Sequence, residues 1–148
     1  MKLDLNGYKL IQEFEGLSLK VYLDSVNVPT IGYGTTYYEN GTRVTIHDAV
    51  ITKERAFELL KINADRFAVK VSNLVHKPIN QNQFNSLVSF TYNLGSGAFA
   101  SSTLLKKVNI NPNDNLIRLE FLKWNRAGGK ILSGLIKRRN KESELYFT

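Results

Sequence analysis

The stretch "EFEGLSLKVYLDSVNVPTIGYGTT", residues 13–36, joins the end of a helical pattern to a β-prone pattern. Glu15 is followed at once by Gly16, and a glycine here is a common helix stop, so Glu15 should end an N-terminal helix. Turn-forming residues separate the β-prone runs that follow, which predicts a hairpin. Asp24 falls at the end of the first run and Thr30 in the second. The stretch is therefore either an ordinary hairpin or a frame that holds two carboxylates and a hydroxyl around a reacting bond.

The β-prone pattern continues to about Thr45. The runs "LKVYLD", "VPTIGYG" and "TRVTI" predict short strands, and Asn40-Gly41 is typical of a tight hairpin turn. Pro29 has no N–H for a strand ladder, so we expect it at a sheet edge or at a strand start. The motif "GYG" lacks the third glycine of a dinucleotide-binding loop, and its glycines instead indicate a close approach of backbone or ligand.

Helical patterns surround this region. We expect Asn6 to cap the N-terminal helix, and Thr52 to cap a helix of about 20 residues, or ~30 Å. The apolar stripe of the long helix consists of Ala56, Leu59, Leu60, Ala64, Phe67, Ala68, Val71 and Leu74. The later segments "NQFNSLVSFTYNLG", "SSTLLKKVN", "NDNLIRLEFLKWNRAGG" and "SGLIKRRNKESELYF" are also helical in pattern, with "GGK" at 128–130 as a turn.

These patterns predict an α+β fold, mainly α, in which a small antiparallel β-hairpin lobe and a larger helical lobe are joined by the long helix. We expect one domain over residues 1–148. Within it we group the N-terminal helix with the β lobe (1–51), followed by the connecting helix (52–75) and the helical lobe (76–148). A ligand is expected in the cleft between the lobes.

Composition excludes some kinds of site and indicates an anionic partner. The chain has no cysteine, and His47 and His76 are far apart in sequence, so neither thiol catalysis nor a Cys/His metal site is predicted. The net charge is +7, and residues 103–148 contain ten basic and four acidic residues. This basic region suggests an anionic wall, a membrane surface or nucleic acid as partner, with solubility alone as the alternative. The run "KRRNK" at 137–141 is typical of a solvated helix face.

Glu15 and Asp24 are expected in different surroundings. The partial negative charge of a helix C-terminus and the apolar neighbours of Glu15 favour a protonated carboxyl, whereas a wetter turn favours an ionised Asp24. One protonated and one ionised acid is the arrangement that glycosidic cleavage requires, and the Thr30 hydroxyl, across the hairpin, could help Asp24 hold a water. On these grounds alone, purely structural roles for the three residues are favoured.

The order Glu15, Asp24, Thr30 within "FEGLSLKVYLDSVNVPTIGYGTT" resembles the Glu-x8-Asp-x5-Thr signature of phage-type lysozymes, the endolysins of glycoside hydrolase family 24. The likeness continues through "ITKERAFELL", "QNQFNSLVSFTYNLGSGAFASSTLLKKVN" and "FLKWNRAGGKILSGLIKRR". It implies a lysozyme-like fold and cleavage of the β-1,4 bond between N-acetylmuramic acid and N-acetylglucosamine in peptidoglycan, without metal or cofactor. By resemblance, Glu15 is the general acid, and Asp24 and Thr30 position the attacking water. An inverting enzyme of this kind should hold its carboxyls ~6.5–9.5 Å apart.

The resemblance also indicates saccharide contacts at Thr36, Tyr92 and Ser102. The chain departs from the family at Thr35 and Asn63, where many relatives have a histidine and an aspartate that pair, which suggests a lost structural ion pair. The N-terminal residues form no secretory signal or membrane anchor, so we expect synthesis in the host cytoplasm and holin-dependent release to the wall. We also expect a monomer.

Two other functions are compatible with these residues. A lytic transglycosylase would form a 1,6-anhydro ring and needs no activated water, so Thr30 speaks against it. A non-catalytic module could bind walls or nucleic acid through the basic C-terminal region, although few aromatic residues lie among its basic ones, which argues against single-strand binding.

Overall fold

A computed structural model describes all residues from Met1 to Thr148 and contains seven helices and two two-stranded antiparallel sheets. The elements are α1 (Leu5–Phe14), β1 (Ser18–Leu23), β2 (Pro29–Gly32), α2 (Lys53–Leu74), α3 (Gln81–Leu94), α4 (Ser96–Ser101), α5 (Thr103–Ile110), α6 (Ile117–Leu122), β3 (Arg126–Ala127), β4 (Lys130–Ile131) and α7 (Ser133–Tyr146). The prediction of a mainly helical α+β chain is confirmed. None of the helices combines the length and the apolar character that a bilayer crossing requires.

The first helix starts earlier than its sequence suggested. Asp4 is the N-cap of α1, because its carboxylate accepts a hydrogen bond from the Gly7 N–H (3.0 Å), so the prediction of Asn6 as the cap is wrong. Asn85 on α3 donates to the same carboxylate oxygen (2.7 Å), and this distant contact was not visible in the local pattern. At the other end the Glu15 N–H still bonds to the helix, which makes Glu15 the C-cap.

Strands β1 and β2 form the predicted hairpin, with Leu23 opposite Pro29 and Tyr22 opposite Thr30. Pro29 begins β2, as its missing N–H required. The five residues from Asp24 to Val28 make the turn, closed by a hydrogen bond from the Asp24 N–H to the Val28 carbonyl (3.0 Å). Thr30 therefore lies across from Tyr22, and the expectation that it lies across from Asp24 is wrong by two residues.

The predicted third strand, "TRVTI", does not form. Only an isolated bridge between Tyr37 and Arg43 flanks the Asn-Gly turn. The Asp48 carboxylate accepts hydrogen bonds from the Thr45 N–H (3.0 Å) and the Thr45 hydroxyl (2.6 Å). These bonds turn the chain where a strand would have continued, a known competition between short polar side chains and regular structure.

Helix α2 connects the two lobes as predicted. Thr52 caps it by accepting from the Arg55 N–H (3.0 Å), and the helix runs for 22 residues. Its apolar stripe is buried or half-buried, and the helix packs on β2 and on α3. The β lobe and the helical lobe thus share one rigid element.

Helix α3 is the centre of the helical lobe and packs against α1, α2 and α7. Phe90 on α3 meets the rings of Phe99, Phe121 and Trp124 edge-on, with ring centroids 5.6–6.1 Å apart. Such edge-on pairs are a favoured aromatic geometry in cores. Since α1 packs on α3, the N-terminal helix contacts the helical lobe, although we grouped it with the β lobe in sequence.

The segment after α6 departs from its helical pattern. Strands β3 and β4 form a small hairpin whose turn is Gly128-Gly129, so the prediction of a helix through residues 113–129 holds only for α6. Both glycines have positive φ (58° and 76°), a conformation that ends a helix and closes a turn. The prediction of "GGK" as a turn is confirmed.

Candidate active site

The Glu15 carboxyl lies where the end of α1 meets the β lobe and α7. One of its oxygens, Oε1, accepts a hydrogen bond from Arg138 Nη1 at 2.8 Å, and the side chain is 20% exposed. The other oxygen faces Gly34, where an added methyl group would lie 3.2 Å from Oε2. Gly34 is thus the close approach that the "GYG" motif indicated. One carboxyl oxygen is held, and the other is left for chemistry.

Arg138 is buried and held by several partners on α3 and α7. Its Nη2 donates to the Ser89 carbonyl (3.1 Å) and its Nε to the Glu142 carboxylate (3.3 Å). The Ser89 hydroxyl also donates to Glu142 (2.6 Å), and Arg139 Nε lies 2.8 Å from Glu142 Oε1. These contacts fix the guanidinium and, through it, Glu15.

The buried cluster balances its charges. Burial raises the pKa of the Glu142 carboxyl, against the opposing effect of Arg139 and Arg138. Burial likewise lowers the pKa of the Arg139 guanidinium to about 10, against the opposing charge of Glu142. With Glu15, the cluster contains two arginines and two glutamates. Removing any one of them leaves an uncompensated charge in the interior.

Asp24 is fixed by the hairpin turn that it begins. Its Oδ1 accepts hydrogen bonds from the Val26 and Val28 N–H groups, both at 2.9 Å. These bonds hold the carboxylate in a fixed position within the turn. Oδ2 has no protein hydrogen-bond partner, so it is free to accept a proton or to bind water.

Thr30 is buried beside Asp24. Its hydroxyl donates to the Val28 carbonyl (2.9 Å), and the N–H of Val28 in turn binds Asp24. Because the hydroxyl proton is engaged, the Thr30 oxygen is available to accept a hydrogen bond from a water. The backbone of one residue, Val28, thus orders both Asp24 and Thr30.

Glu15 and Asp24 both act on the same tyrosine. The pKa of Tyr22 is raised first by burial, and then by the negative charges of Glu15 and Asp24. Glu15 also opposes ionisation of Tyr92, whose pKa is raised mainly by burial. The charges of Glu15 and Asp24 therefore both oppose ionisation of the Tyr22 phenol.

Two cavities adjoin Glu15. A cavity of about 420 Å³ is lined by residues of the β lobe, α2 and α3, among them Gly34, Thr36, Tyr37, Asn63, Phe67 and Tyr92. Another, of about 440 Å³, is lined by Glu15 itself and by residues of α7 and its approach, among them Leu132, Ser133, Leu135 and Arg138. Gly34 lines the first cavity and lies beside the Glu15 carboxyl, which lines the second, so the carboxyl lies close to both cavities.

The residues predicted as saccharide contacts have different surroundings. Thr36 and Tyr92 both line the first cavity, and the Tyr92 hydroxyl donates to the Tyr33 carbonyl (2.9 Å) across the lobes. Ser102 is buried and does not line either cavity. Its hydroxyl accepts from the Leu105 N–H (3.1 Å) and donates to the Phe99 carbonyl (2.6 Å), so it caps α5.

No hydrogen bond joins the side chains of Thr35 and Asn63, the two positions at which the chain departs from its relatives. The Thr35 hydroxyl is completely buried and has no hydrogen-bond partner, whereas Asn63 lines the first cavity. His47 and His76 are exposed, and no group of three or more His, Cys, Asp or Glu side chains is arranged to hold a metal ion.

The sequence interpretation missed Arg138 and its cluster. We took "KRRNK" as a solvated run, but Arg138 is 3% and Arg139 0% exposed, so that interpretation is wrong for both. It also missed the Arg138 guanidinium that binds the Glu15 carboxylate. A signal was present, because the buried positions 138, 139, 142, 143 and 146 follow a helical period despite their polar residues.

Comparisons with known proteins identify the family to which the chain belongs. The sequence profile of the family described as phage lysozyme matches residues 12–142. The endolysin of Salmonella phage P22 is 38% identical over 148 residues, which is 100% of this chain and 99% of that protein. The endolysin of Bacillus phage B103 is 41% identical over all of this chain, which spans only 55% of its length.

The folds agree as well. The structure of an endolysin from Escherichia coli O157:H7 phage FAHEc1 superposes with a TM-score of 0.89 at 37% identity, covering 99% of this chain and 93% of that one. Profile, sequence and structure agree over nearly the whole chain, which therefore belongs to the phage lysozyme family.

Proposed function

We propose that this chain is a muramidase that hydrolyses the β-1,4 bond between N-acetylmuramic acid and N-acetylglucosamine in peptidoglycan and so lyses a bacterial host. The observation that carries the proposal is the Glu15 carboxyl, with one oxygen fixed by Arg138 and the other beside Gly34, between two cavities. The relatives named endolysins support the same activity. In this proposal the glycan strand lies along the groove that the two cavities form.

Glu15 is the proposed general acid. With Oε1 bound to Arg138, Oε2 is the oxygen that carries the proton and delivers it to the glycosidic oxygen as the bond breaks. The guanidinium then stabilises the carboxylate that remains. Filling the groove with substrate excludes water from Glu15, so the proton passes directly from Oε2 to the glycosidic oxygen.

Asp24 and Thr30 are proposed to hold the attacking water. The free Oδ2 of Asp24 accepts one proton of this water while the Thr30 oxygen accepts a hydrogen bond from the other. Water then adds to the anomeric carbon from the face opposite the leaving group, and the configuration inverts. Thr36 and Tyr92 are proposed saccharide contacts. We do not extend this proposal to Ser102, because its hydroxyl is used in capping α5.

The exposed charge of the C-terminal region supports retention on an anionic wall. Arg138 and Arg139 are buried, but so are Glu120 and Glu142, so burial leaves the surplus of positive charge on the surface of residues 103–148 unchanged. Such attraction weakens as salt is added. We propose that the enzyme acts as a monomer on the wall after release from the cytoplasm by a holin.

The test replaces Glu15 by Gln, which keeps the shape and removes the acid. We expect lysis of outer-membrane-stripped cells to fall by at least ~10²-fold, the usual size of a general-acid contribution. Glu144→Gln is the matched control, because Glu144 is exposed, makes no ion pair and lines neither cavity. It should lyse cells like the wild type. Lysis by Glu15→Gln at the wild-type rate would contradict the assignment.

The products distinguish the reaction types. An inverting hydrolase releases reducing sugars whose first-formed anomer is α, which NMR detects before mutarotation. Retention of the β configuration would contradict the roles of Asp24 and Thr30. Mass spectrometry of the fragments checks the alternative, because 1,6-anhydro ends would identify a lytic transglycosylase.

A further inference from the structure

Two cations on α2 line the cavity beside Gly34 without any acidic partner. Arg66 and Lys70 both face the 420 Å³ cavity, and neither takes part in any of the ion pairs of the molecule. They lie at positions i and i+4 of one helix, where like charges repel each other and destabilise the helix. Two positive charges in a cleft wall without an acidic partner attract an anion, so this part of the cavity could serve as an anion-binding site.

Neutral groups hold both side chains in place without cancelling their charge. Arg66 Nη2 donates to the backbone carbonyl of Glu39 (2.8 Å), and its Nη1 lies 3.4 Å from Asn63 Oδ1. Lys70 Nζ lies 3.4 Å from the Ser96 hydroxyl and 5.7 Å from the centre of the Phe67 ring. The side-chain entropy lost on binding an anion is therefore reduced, because both cations are already oriented.

The other walls of the cavity do not repel an anion. Its remaining lining residues are glycine, threonine, tyrosine, asparagine and phenylalanine, with no acid among them. The nearby Glu39 carboxylate is already bound by Arg55, whose two terminal nitrogens lie 2.6 and 2.7 Å from its oxygens. An incoming carboxylate would meet two free positive charges, the Thr36 hydroxyl and the Asn63 amide.

We propose that Arg66 and Lys70 bind a carboxylate on the peptide branch of the glycan strand, so that the enzyme prefers strands whose peptides carry free carboxylates. This inference rests on the proposed muramidase function. The sugars of the strand backbone are uncharged N-acetylated units, and the strand's negative charge resides on the peptides attached to every second sugar. A strand that passes Glu15 and fills the adjoining cavity brings such a peptide to α2.

The experiment compares two forms of one substrate. Soluble, uncross-linked peptidoglycan strands free of phosphate-bearing polymers are used either as they are or with their carboxyls converted to methylamides. For the wild type we expect KM to be about fivefold higher on the amidated strands, the upper range for one exposed charge pair, with kcat changed less than about twofold. The difference should shrink as salt is added.

Variants assign the effect to α2. Arg66→Gln with Lys70→Gln should raise KM on native strands to the amidated value and abolish the difference between the two substrates. Lys61→Gln is the matched control, since Lys61 is on the same helix, contacts the Phe57 ring and does not line the cavity. It should keep the full difference, which separates a local site from the net charge of the protein.

The outcomes separate this inference from the proposed function. If the wild type cleaves neither form of strand, the muramidase function itself is wrong. If it cleaves both forms with the same KM, only the carboxylate site is wrong, and this comparison needs no variant. A double variant that retains the wild-type preference would also overturn the assignment to Arg66 and Lys70.

Discussion

Gly34 controls how closely the β lobe approaches the Glu15 carboxyl. Its φ of 78° is strained for any residue with a Cβ, and a methyl group would lie 3.2 Å from Oε2. We predict that Gly34→Ala loses about 1–2 kcal/mol of unfolding free energy from the left-handed backbone. We further predict that kcat falls about tenfold or more, because small misplacements of a catalytic group are costly. Urea unfolding and turbidity assays measure the two effects.

Gly41→Ala is the control for this prediction. Gly41 has a similar φ of 84° but nothing within 4 Å of its would-be Cβ. It should lose as much stability as Gly34→Ala while the folded protein keeps its activity. Equal activity losses in the two variants would mean that the backbone strain, and not the crowding of Glu15, impairs function.

At the scale of residues, the sequence identified Glu15, Asp24 and Thr30 as candidates but not Arg138. Local signatures placed the three at a helix end, a turn and a strand, but only the resemblance to phage-type lysozymes favoured catalytic roles over structural ones. Arg138 meets Glu15 from 123 positions away, and a pattern analysis assigns arginine to the solvent by default. The hairpin register was also missed, because the turn closes through the backbone of Asp24 and Val28.

Helix α7 contains a buried carboxylate, Glu142, on which several neighbouring side chains depend. Glu142 is the common partner of Arg138, Arg139 and Ser89 and is completely buried. We predict that Glu142→Gln lowers the free energy of unfolding by about 3–5 kcal/mol, because two buried cations are left with one carboxylate. Activity should fall as well, since Arg138 loses part of its support. Urea denaturation measures the first effect and lysis assays the second.

The same helix offers a control in Glu144, which is exposed and makes no ion pair. Glu144→Gln should change stability by less than about 0.5 kcal/mol, as is usual for surface substitutions. A loss in Glu142→Gln no larger than in Glu144→Gln would show that the buried ion pairs contribute little to the fold.

At the scale of elements, strong local signals made predictions succeed. The boundaries of α2 followed from its cap and its apolar stripe. The prediction of a third strand failed because the Asp48 carboxylate bonds to the backbone and side chain of Thr45. The prediction of a helix beyond Leu122 failed because two glycines adopt positive φ. In each failure a short-range polar or backbone effect outweighed the hydrophobic period.

The whole molecule should lose stability in alkali. Tyr8, Tyr22, Tyr38, Tyr92 and Tyr146 all have raised pKa values, chiefly from burial, and that of Tyr38 reaches about 12. The folded state then keeps its phenolic protons at a pH where the unfolded chain, with tyrosine pKa near 10, has lost them. The contribution of these tyrosines to the free energy of unfolding is therefore fully present below pH ~10 and is lost as the pH rises above it.

The expected size of this loss in unfolding free energy follows from the buried tyrosines. Tyr92 and Tyr146 should each remove about 1.4 kcal/mol per pH unit above 10, and Arg139, whose pKa is lowered to about 10, opposes one of them. We predict a net loss of at least about 1.4 kcal/mol between pH 10 and 11, measured by urea unfolding at fixed salt. Tyr146→Phe should reduce this loss. A free energy of unfolding that stays constant to pH 11 would contradict the prediction.

At the scale of the whole chain, the two-lobed arrangement could be predicted because one long amphipathic helix separates a β-prone region from several helical ones. The packing of α1 on α3 could not, since nothing local in α1 indicates its distant partner. The buried cluster of arginines and glutamates could not be predicted either, because its members are brought together only by three-dimensional contacts.

The anchoring of α2 has a mechanical consequence. Arg55 and Arg66 fasten the upstream part of the helix to Glu39 in the β lobe, whereas Lys70 is fastened to Ser96 in the helical lobe. A ligand held by both Arg66 and Lys70 would therefore be tied to the β lobe through one cation and to the helical lobe through the other. Its binding would add a connection between the two lobes, so the liganded protein should resist separation of the lobes more than the free protein.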